Sequence, residues 1–500
     1  MLSSEYLYRF YRALEEGGCE NHGLLIMRGD ETVYEHYVYP YSAEMPHTLF
    51  SVTKSLISTA VGFAIDEGLF HLNSGISEFF PEFEIPDSPE WNRITVRALL
   101  TMNSNKQFSY MQGMANDYID LFMKAPFRKK GGFLYSNNDV QMLAEIVRRT
   151  SGQNTDDYLD ERLFRPLNIK KPFWETDCRG TCVGGSGAYL TLRDVAKICR
   201  CYACGGTYGG KQIIPAQWAK EAVRTQIQKS GTYGYGYLFW TKEDSFHMSG
   251  MMGQLVYYFP EYDAVIASFN NCLNDGFIHR AIREYLLRSF DGAKSSCDRT
   301  LEEYLKEKDL AVTANSGDLT KIPIGNHYYL TPVSKLRAKA FFPSGLIPKT
   351  VSSSFAKLAK NSMDDISFIR EGDKECSIVW YEDNDRAEIR CGLDGTPRIS
   401  EVTLQGYCFT VWAFAYLDGG KLTAVVKPIN TLATRIFTFE FKRNAVKLDA
   451  KGTPAFIDFL LYHMDSVPVI RKHDFIKKTA PRIVRRAVRF LEKPYLYRQK

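Results

Sequence analysis

Ser51-Val52-Thr53-Lys54 sets a hydroxyl and an amine three residues apart at the head of an apolar run. In a helix that spacing puts Lys54 about one turn beyond Ser51 on the same face, within reach of its hydroxyl. The helix start gives Ser51 the positive end of the dipole and backbone N–H groups with no partner. A lysine withdrawn from water there either turns neutral and accepts the serine proton, or stays charged and favours the alkoxide. The pattern alone is cheap: Ser354 and Lys357 satisfy it too, with neither a helix start nor partners.

The first match has company. Phe133-Leu134-Tyr135-Ser136-Asn137-Asn138 precedes an apolar helical stretch carrying Val140, Leu143, Ala144 and Val147. Tyr135 there can act as a base toward Ser51 or as an acid toward a leaving group. Asn137 offers an amide to a substrate carbonyl. A third element, Phe246-His247-Met248-Ser249-Gly250-Met251-Met252-Gly253-Gln254, stands just before a strand. Gly250 lets substrate backbone approach the strand edge, and the N–H groups of Ser51 and Met251 are suited to an oxyanion hole. The candidate site is thus Ser51, Lys54 and Tyr135 for catalysis. Asn137, His247, Met248, Ser249 and Gly250 are the candidates for substrate binding.

The elements that must hold these residues can be read around them. His22–Met27 and Thr32–Tyr37 flank an Arg28-Gly29-Asp30 turn as a hairpin. The run from Leu49 to Gly68 is a helix with Leu56, Ala60, Val61 and Ala64 on its apolar side and Gly68 near its stop. Residues 90–205 read as mostly helical, with loops at Ser104–Gln107 and Arg128–Phe133. Strand patterns return at Tyr233–Trp240, Gln254–Pro260 and Ala264–Asn271, and a helix covers Ile278–Phe290. Strands at both ends with helices between predict one sheet assembled from the two ends of an α/β domain.

Residues 1–292 form that expected domain, followed by a helix and linker at 293–319 that includes Leu301–Lys308. Short alternating runs then predict a β-rich barrel or sandwich over 320–465, with Leu417-Asp418-Gly419-Gly420 as a hairpin turn. In the basic tail, 466–500, Ile483, Val484, Ala487, Val488 and Leu491 recur at helical spacing among arginines. Such a helix suits an anionic membrane surface or its own protein. A stripe mostly of Ala and Val, without Trp, favours docking on the protein.

Composition narrows the class. A chain of 500 residues exceeds one hydrophobic core, and 45% apolar with 24% charged content is ordinary for a globular protein. The first residues read as an amphipathic helix with Tyr6, Phe10, Tyr11 and Leu14 on one side, not as a secretory signal. Eleven cysteines in such a chain are expected as free thiols in a reducing cytoplasm. The spacings Cys178–Cys182 and Cys199–Cys201–Cys204 do not match a paired zinc site, so neither metal nor cofactor is expected. Eleven Lys or Arg from Arg471 to Lys500 against Asp474 and Glu492 concentrate the net +5 in the tail, so nucleic-acid binding gains no support.

The three elements in this order resemble the β-lactamase and penicillin-binding-protein superfamily, nearest its class C, esterase and D-aminopeptidase branch. Leu99-Leu100-Thr101-Met102 resembles a family segment, and Gly185-Ser186-Gly187-Ala188-Tyr189-Leu190-Thr191 with Arg193-Asp194 resembles its Gly-rich loop. Gly205-Gly206, Tyr233-Gly234-Tyr235-Gly236 and Gly253-Gln254 add to the likeness, which spans about 20–290. It implies a serine hydrolase fold, an antiparallel sheet flanked by helices, and an acyl-enzyme on an ester, amide or peptide substrate.

The third element departs from the family. Where the family has Lys-Thr-Gly or His-x-Gly, alignment on Gly250 puts Met248 at the cationic position and His247 one residue early, on the opposite face of a regular strand. A bulge would restore His247. Lys229-Ser230-Gly231 fits the letters better but reads as a loop. A missing cation favours simple esters and amides over β-lactamase or carboxypeptidase substrates. The other class of reading is a binding or scaffold protein on a hydrolase fold.

Overall fold

The computed structural model describes residues 2–107, 117–291, 298–309, 319–340, 345–347, 362–453 apart from 371, 383 and 405, and 493–499, with isolated positions between. The chain divides into two compact units, Met1–Lys306 and Glu307–Lys500.

The first unit is built on an eight-stranded antiparallel sheet. Its strands are β1 (Glu20–Arg28), β2 (Glu31–Tyr37), β3 (Ile227–Ser230), β4 (Tyr233–Tyr235), β5 (Trp240–Lys242), β6 (Ser245–Gly250), β7 (Gln254–Phe259) and β8 (Ala264–Asn271). They lie in the order β2-β1-β8-β7-β6-β5-β4-β3, so the sheet joins the two ends of the unit. One face carries α2 (Thr53–Asp66), α3 (Asn137–Ser151) and α4 (Leu192–Ala203), whose Leu56, Ile57, Val140 and Val195 share a core with Leu25, Met27, Met248 and Val256. The other face carries α1 (Ser4–Glu16) and α5 (Asp275–Ala281), where Phe10 and Ile278 meet Leu24, Ile26, Leu255 and Tyr257. Covered on both faces, β1 reads as a continuous apolar run, because successive side chains enter different cores.

Several expectations are corrected. Tyr233–Trp240 is not one strand: the chain reverses through Gly236–Phe239, with Leu238 at φ 62°, to make β4 and β5. Lys229 is in strand β3 and not in a loop, because Ile227 pairs with Tyr235 and Gln228 with Gly234. The thiols are not all free. Cys19 and Cys272 form a disulfide, brought together because β1 pairs with β8 from Glu20 opposite Asn271 onward.

The second unit is a closed barrel, which decides between barrel and sandwich. Its strands are β9 (His327–Leu330), β10 (Met363–Arg370), β11 (Glu375–Glu382), β12 (Asp385–Gly392), β13 (Arg398–Leu404), β14 (Tyr407–Asp418), β15 (Lys421–Pro428), β16 (Thr434–Lys442), β17 (Ala445–Thr453) and β18 (Tyr495–Gln499). The order is β12-β11-β10-β9-β18-β17-β16-β15-β14-β13, closed where Gly392 of β12 meets Phe414 of β14. A helix, α6 (Pro332–Ala340), interrupts what reads as all-β sequence. Of the expected tail helix only Arg482, Ile483 and Arg486 are among the described residues, all helical, so its docking lies outside them. The last segment is strand β18, inserted between β9 and β17. No helix among the described residues is long and apolar enough to cross a membrane.

Candidate active site

Ser51 lies in a single 3-10 turn, Phe50–Val52, that runs into α2. Phe50 takes φ +44°, a conformation that costs a non-glycine residue energy and that recurs where a side chain must be aimed. One turn on, Lys54 is buried, and its Nζ is within 2.9 Å of Ser51 Oγ, 2.7 Å of Asn137 Oδ1 and 2.6 Å of the Gly185 carbonyl oxygen. Burial lowers the Lys54 pKa to about 7. A neutral amine has two N–H groups and one lone pair. The fixed carbonyls of Asn137 and Gly185 take the two N–H groups, which leaves the lone pair for the Ser51 hydroxyl.

Tyr135 comes from the loop before α3, whose start is capped by Ser136 accepting from the Asp139 N–H. Its hydroxyl is hydrogen-bonded with Ser51, yet burial outweighs that bond and raises its pKa, so it is a neutral phenol at physiological pH. The Lys54 ammonium position is 4.9 Å from the centre of the Tyr135 ring. The Tyr135 ring also stacks on that of Trp240 at 5.7 Å, and the residue as a whole is 38% exposed. With its Oδ1 accepting from Lys54, the remaining polar group of the Asn137 side chain is its Nδ2 donor.

The third element reaches Ser51 through Gly250. A Cβ on Gly250 would collide with the Leu49 carbonyl oxygen and lie 3.3 Å from Ser51 N. Ser245–His247 of β6 pair with β5, whereas Met248–Gly250 pair only with β7 among the described ladders. The β6–β7 turn that carries Met251 is clamped from behind. Gln254 Nε2 donates to the Met251 and Asn270 carbonyls at 3.2 and 2.7 Å, and Asn270 Nδ2 donates to the Gly253 carbonyl at 2.6 Å. The Cys272 N–H donates to the Met252 carbonyl, tying the turn to the disulfide-bonded end of β8.

His247 and Met248 are not gathered with the rest. The β6–β7 register runs without a bulge from Phe246 opposite Tyr258 to Gly250 opposite Gln254. His247 is stacked on Tyr257 at 4.3 Å and edge-on to His279, and it reaches the site only through the ring of Trp240, its partner on β5, 6.4 Å away. Met248 joins the apolar core with Leu49 and Val52. Ser249, two residues from His247 on a regular strand, shares the His247 face. Gly185, Gln254, Asn270 and Trp240 are the residues that motif reading did not assign a role. Only the match of Gly185 and Gln254 to family segments pointed toward them.

A family model described as Beta-lactamase matches residues 11–287, more than half of the chain. The chain belongs to the beta-lactamase family. Within this beta-lactamase-family chain, 219 residues are 26% identical to a 6-aminohexanoate-dimer hydrolase of Paenarthrobacter ureafaciens, covering 40% of the chain and 56% of that protein. A stretch of 127 residues is 27% identical to penicillin-binding protein 4 of Amycolatopsis lactamdurans, covering 24% of the chain and 33% of the relative. The chain thus spans about half or less of the length of these two curated relatives. Among solved structures, a Bacillus anthracis protein provisionally named a 6-aminohexanoate-dimer hydrolase superposes with a TM-score of 0.50 at 19% identity, covering 56% of this chain and 81% of that one. That likeness is one of fold.

Proposed function

We propose that this beta-lactamase-family protein is a serine hydrolase that cleaves ester or amide bonds through an acyl-enzyme on Ser51. The observation that carries the reading is Lys54 Nζ at 2.9 Å from Ser51 Oγ, with the carbonyls of Asn137 and Gly185 placed to take its two N–H groups. Lys54 takes the hydroxyl proton as Oγ attacks the substrate carbonyl. The N–H groups of Ser51 and Met251 hold the oxyanion. The bond to the leaving group then breaks, and the Tyr135 phenol gives that group its proton. The proton on Lys54 passes back to Tyr135, and water, deprotonated by the same pair, releases the acid and restores Ser51. The 6-aminohexanoate-dimer hydrolase among the relatives fits hydrolysis of an amide.

Intact-mass detection of an adduct with a fluorophosphonate or a p-nitrophenyl ester tests the reading. Ser51→Ala should remove both adduct and turnover. Lys54→Ala and Tyr135→Phe should each lower kcat on the order of 10³-fold or more, because such sets act as a unit. Wild-type hydrolysis by Ser51→Ala would refute it.

A further inference from the structure

Asn270 and Cys272 hold the turn that carries Met251, and both stand at the loose end of the β1–β8 seam. The ladder shifts register between Asn21 and Gly23. Past that shift only two pairs remain, Asn21 opposite Asn270 and Glu20 opposite Asn271. An irregularity of this kind disrupts a ladder locally, and a short end beyond it opens more readily than the strands behind it. Yet this end supports three bonds to the turn. Asn270 Nδ2 donates to the Gly253 carbonyl at 2.6 Å, and Gln254 Nε2 donates to the Asn270 carbonyl at 2.7 Å. The Cys272 N–H donates to the Met252 carbonyl at 3.1 Å.

What closes this end is covalent. Cys272 directly follows β8, and its bond to Cys19, 253 residues away in the chain, fastens the end of β8 to the start of β1. Eight other described cysteines are free thiols. Both sulfurs also have an acceptor at hand once the bond opens. The Asn274 carbonyl is 3.4 Å from Cys272 Sγ, and the Gly17 carbonyl is 3.8 Å from Cys19 Sγ. The reduced thiols are therefore not left as buried polar groups without partners. The way in is short, because Glu15–Gly18 just ahead of Cys19 are exposed. The core that seats α1 and α5 on the sheet rests mainly on other side chains, among them Phe10, Leu24, Tyr257 and Ile278, so its packing outlasts the bond.

We propose that the Cys19–Cys272 pair is a redox modification site, whose reduction by a dithiol loosens the Met251 turn and lowers turnover. A thiolate of the dithiol attacks Cys19 Sγ, the S–S bond breaks, and Cys272 Sγ leaves as a thiolate that takes up a proton. The reagent's second thiol displaces Cys19 in the same way and closes into a cyclic disulfide. Two electrons and two protons thus end on the two cysteines. The link to turnover rests on the acyl-enzyme reading above, in which the Met251 N–H holds the oxyanion. That donor acts in the transition state, so its loosening falls on kcat and spares KM.

The test uses the full chain, dithiothreitol and a p-nitrophenyl ester, with alkylation and peptide mapping to follow the pair. Reduction should lower kcat about tenfold and leave KM within about twofold. It should also speed amide exchange in residues 250–254 while 264–268 of β8 stay protected. Reoxidation should restore both. Cys19→Ser should keep the low kcat and ignore the dithiol. Where that variant fails to fold, the reduction of wild type decides alone. A pair that resists dithiothreitol in the folded protein overturns the proposal. So does a kcat unchanged after the pair is reduced, or exchange that speeds throughout the unit. The two levels fail separately. Wild-type hydrolysis by Ser51→Ala refutes the acyl-enzyme reading, while exchange in 250–254 reports on the pair whatever the nucleophile.

Discussion

Lys54 is the residue at which chemistry and stability pull apart. Its pKa near 7 comes from burial, with no anion to hold its charge. Below about pH 7 the amine is protonated and cannot accept the Ser51 proton. Single-turnover acylation should therefore rise about tenfold per pH unit below 7 and level off above it. A pre-steady-state burst measured from pH 5 to 9 checks this, and a flat profile would exclude Lys54 as base. The same burial predicts an opposite effect on folding. The unfolded chain binds the proton up to about pH 10, so the cost of the buried charge is fully present below pH 7 and fades as pH rises toward 10. Lys54→Met should accordingly be inactive yet more stable than wild type at pH 6, by about 1–4 kcal/mol, as thermal melts would show. This pair was legible in the sequence because a single helical turn sets its geometry. Gly185 was not, since its carbonyl reaches Lys54 only through tertiary folding.

At the level of elements, the meeting of β6 with the turn before α2 decides whether the proposed oxyanion donors face the proposed nucleophile. Gly250 is there because any Cβ would strike the Leu49 carbonyl oxygen. Gly250→Ala should push β6 away, costing about 1–3 kcal/mol of stability and on the order of 10²-fold in kcat, in keeping with the loss of an oxyanion donor. Melting and steady-state kinetics on one preparation read both effects, and near-normal kcat would show that the strand does not set the donor. The start of α3 holds a second device. Asp139 is buried, accepts from Ser104 Oγ at 2.9 Å, and has its pKa raised to about 7 by burial. The folded state thus keeps a proton that the unfolded chain gives up near pH 4. The stability from that proton is full below pH 4 and is lost as pH rises through 7. Asp139→Asn should flatten this part of the pH dependence and raise stability at pH 8 by ~1–3 kcal/mol. Melts at pH 5 and pH 8 compare the slopes, and an unchanged slope removes Asp139 as its source. The sequence revealed the YSN motif but not this proton, because the burial of Asp139 arises from the loop at Ser104 packing over it. Lys229 was misread for a related reason. Ser230-Gly231 after it has turn chemistry, and only pairing with β4 makes a strand of what precedes.

On the scale of the whole chain, the short alternating runs of the second unit were legible as strands, since their period of two survives in the sequence. The closure was not, because β18 follows a segment that reads as a basic helix. Its Tyr495 and Tyr497 are buried, and it supplies the hydrogen-bonded edge of both β9 and β17. Removing residues 494–500 should therefore speed amide exchange in β9 and β17 of the full chain while β1 and β8 stay protected. Equal protection with and without the segment would show that the barrel closes without it. The first unit carries its own long-range seam. In β1, Leu24, Leu25 and Ile26 lie opposite Ser268, Ala267 and Ile266 of β8, near the far end of the unit. Loops of that length make native pairing slow relative to local structure. During synthesis the β1–β2 hairpin, whose Leu24, Leu25 and Ile26 end almost fully buried, emerges long before β8. Until then it presents an apolar edge open to strands from other chains. The yield of folded protein should thus be set by the race between completing this one seam and aggregating, with slower synthesis or lower chain concentration favouring the seam.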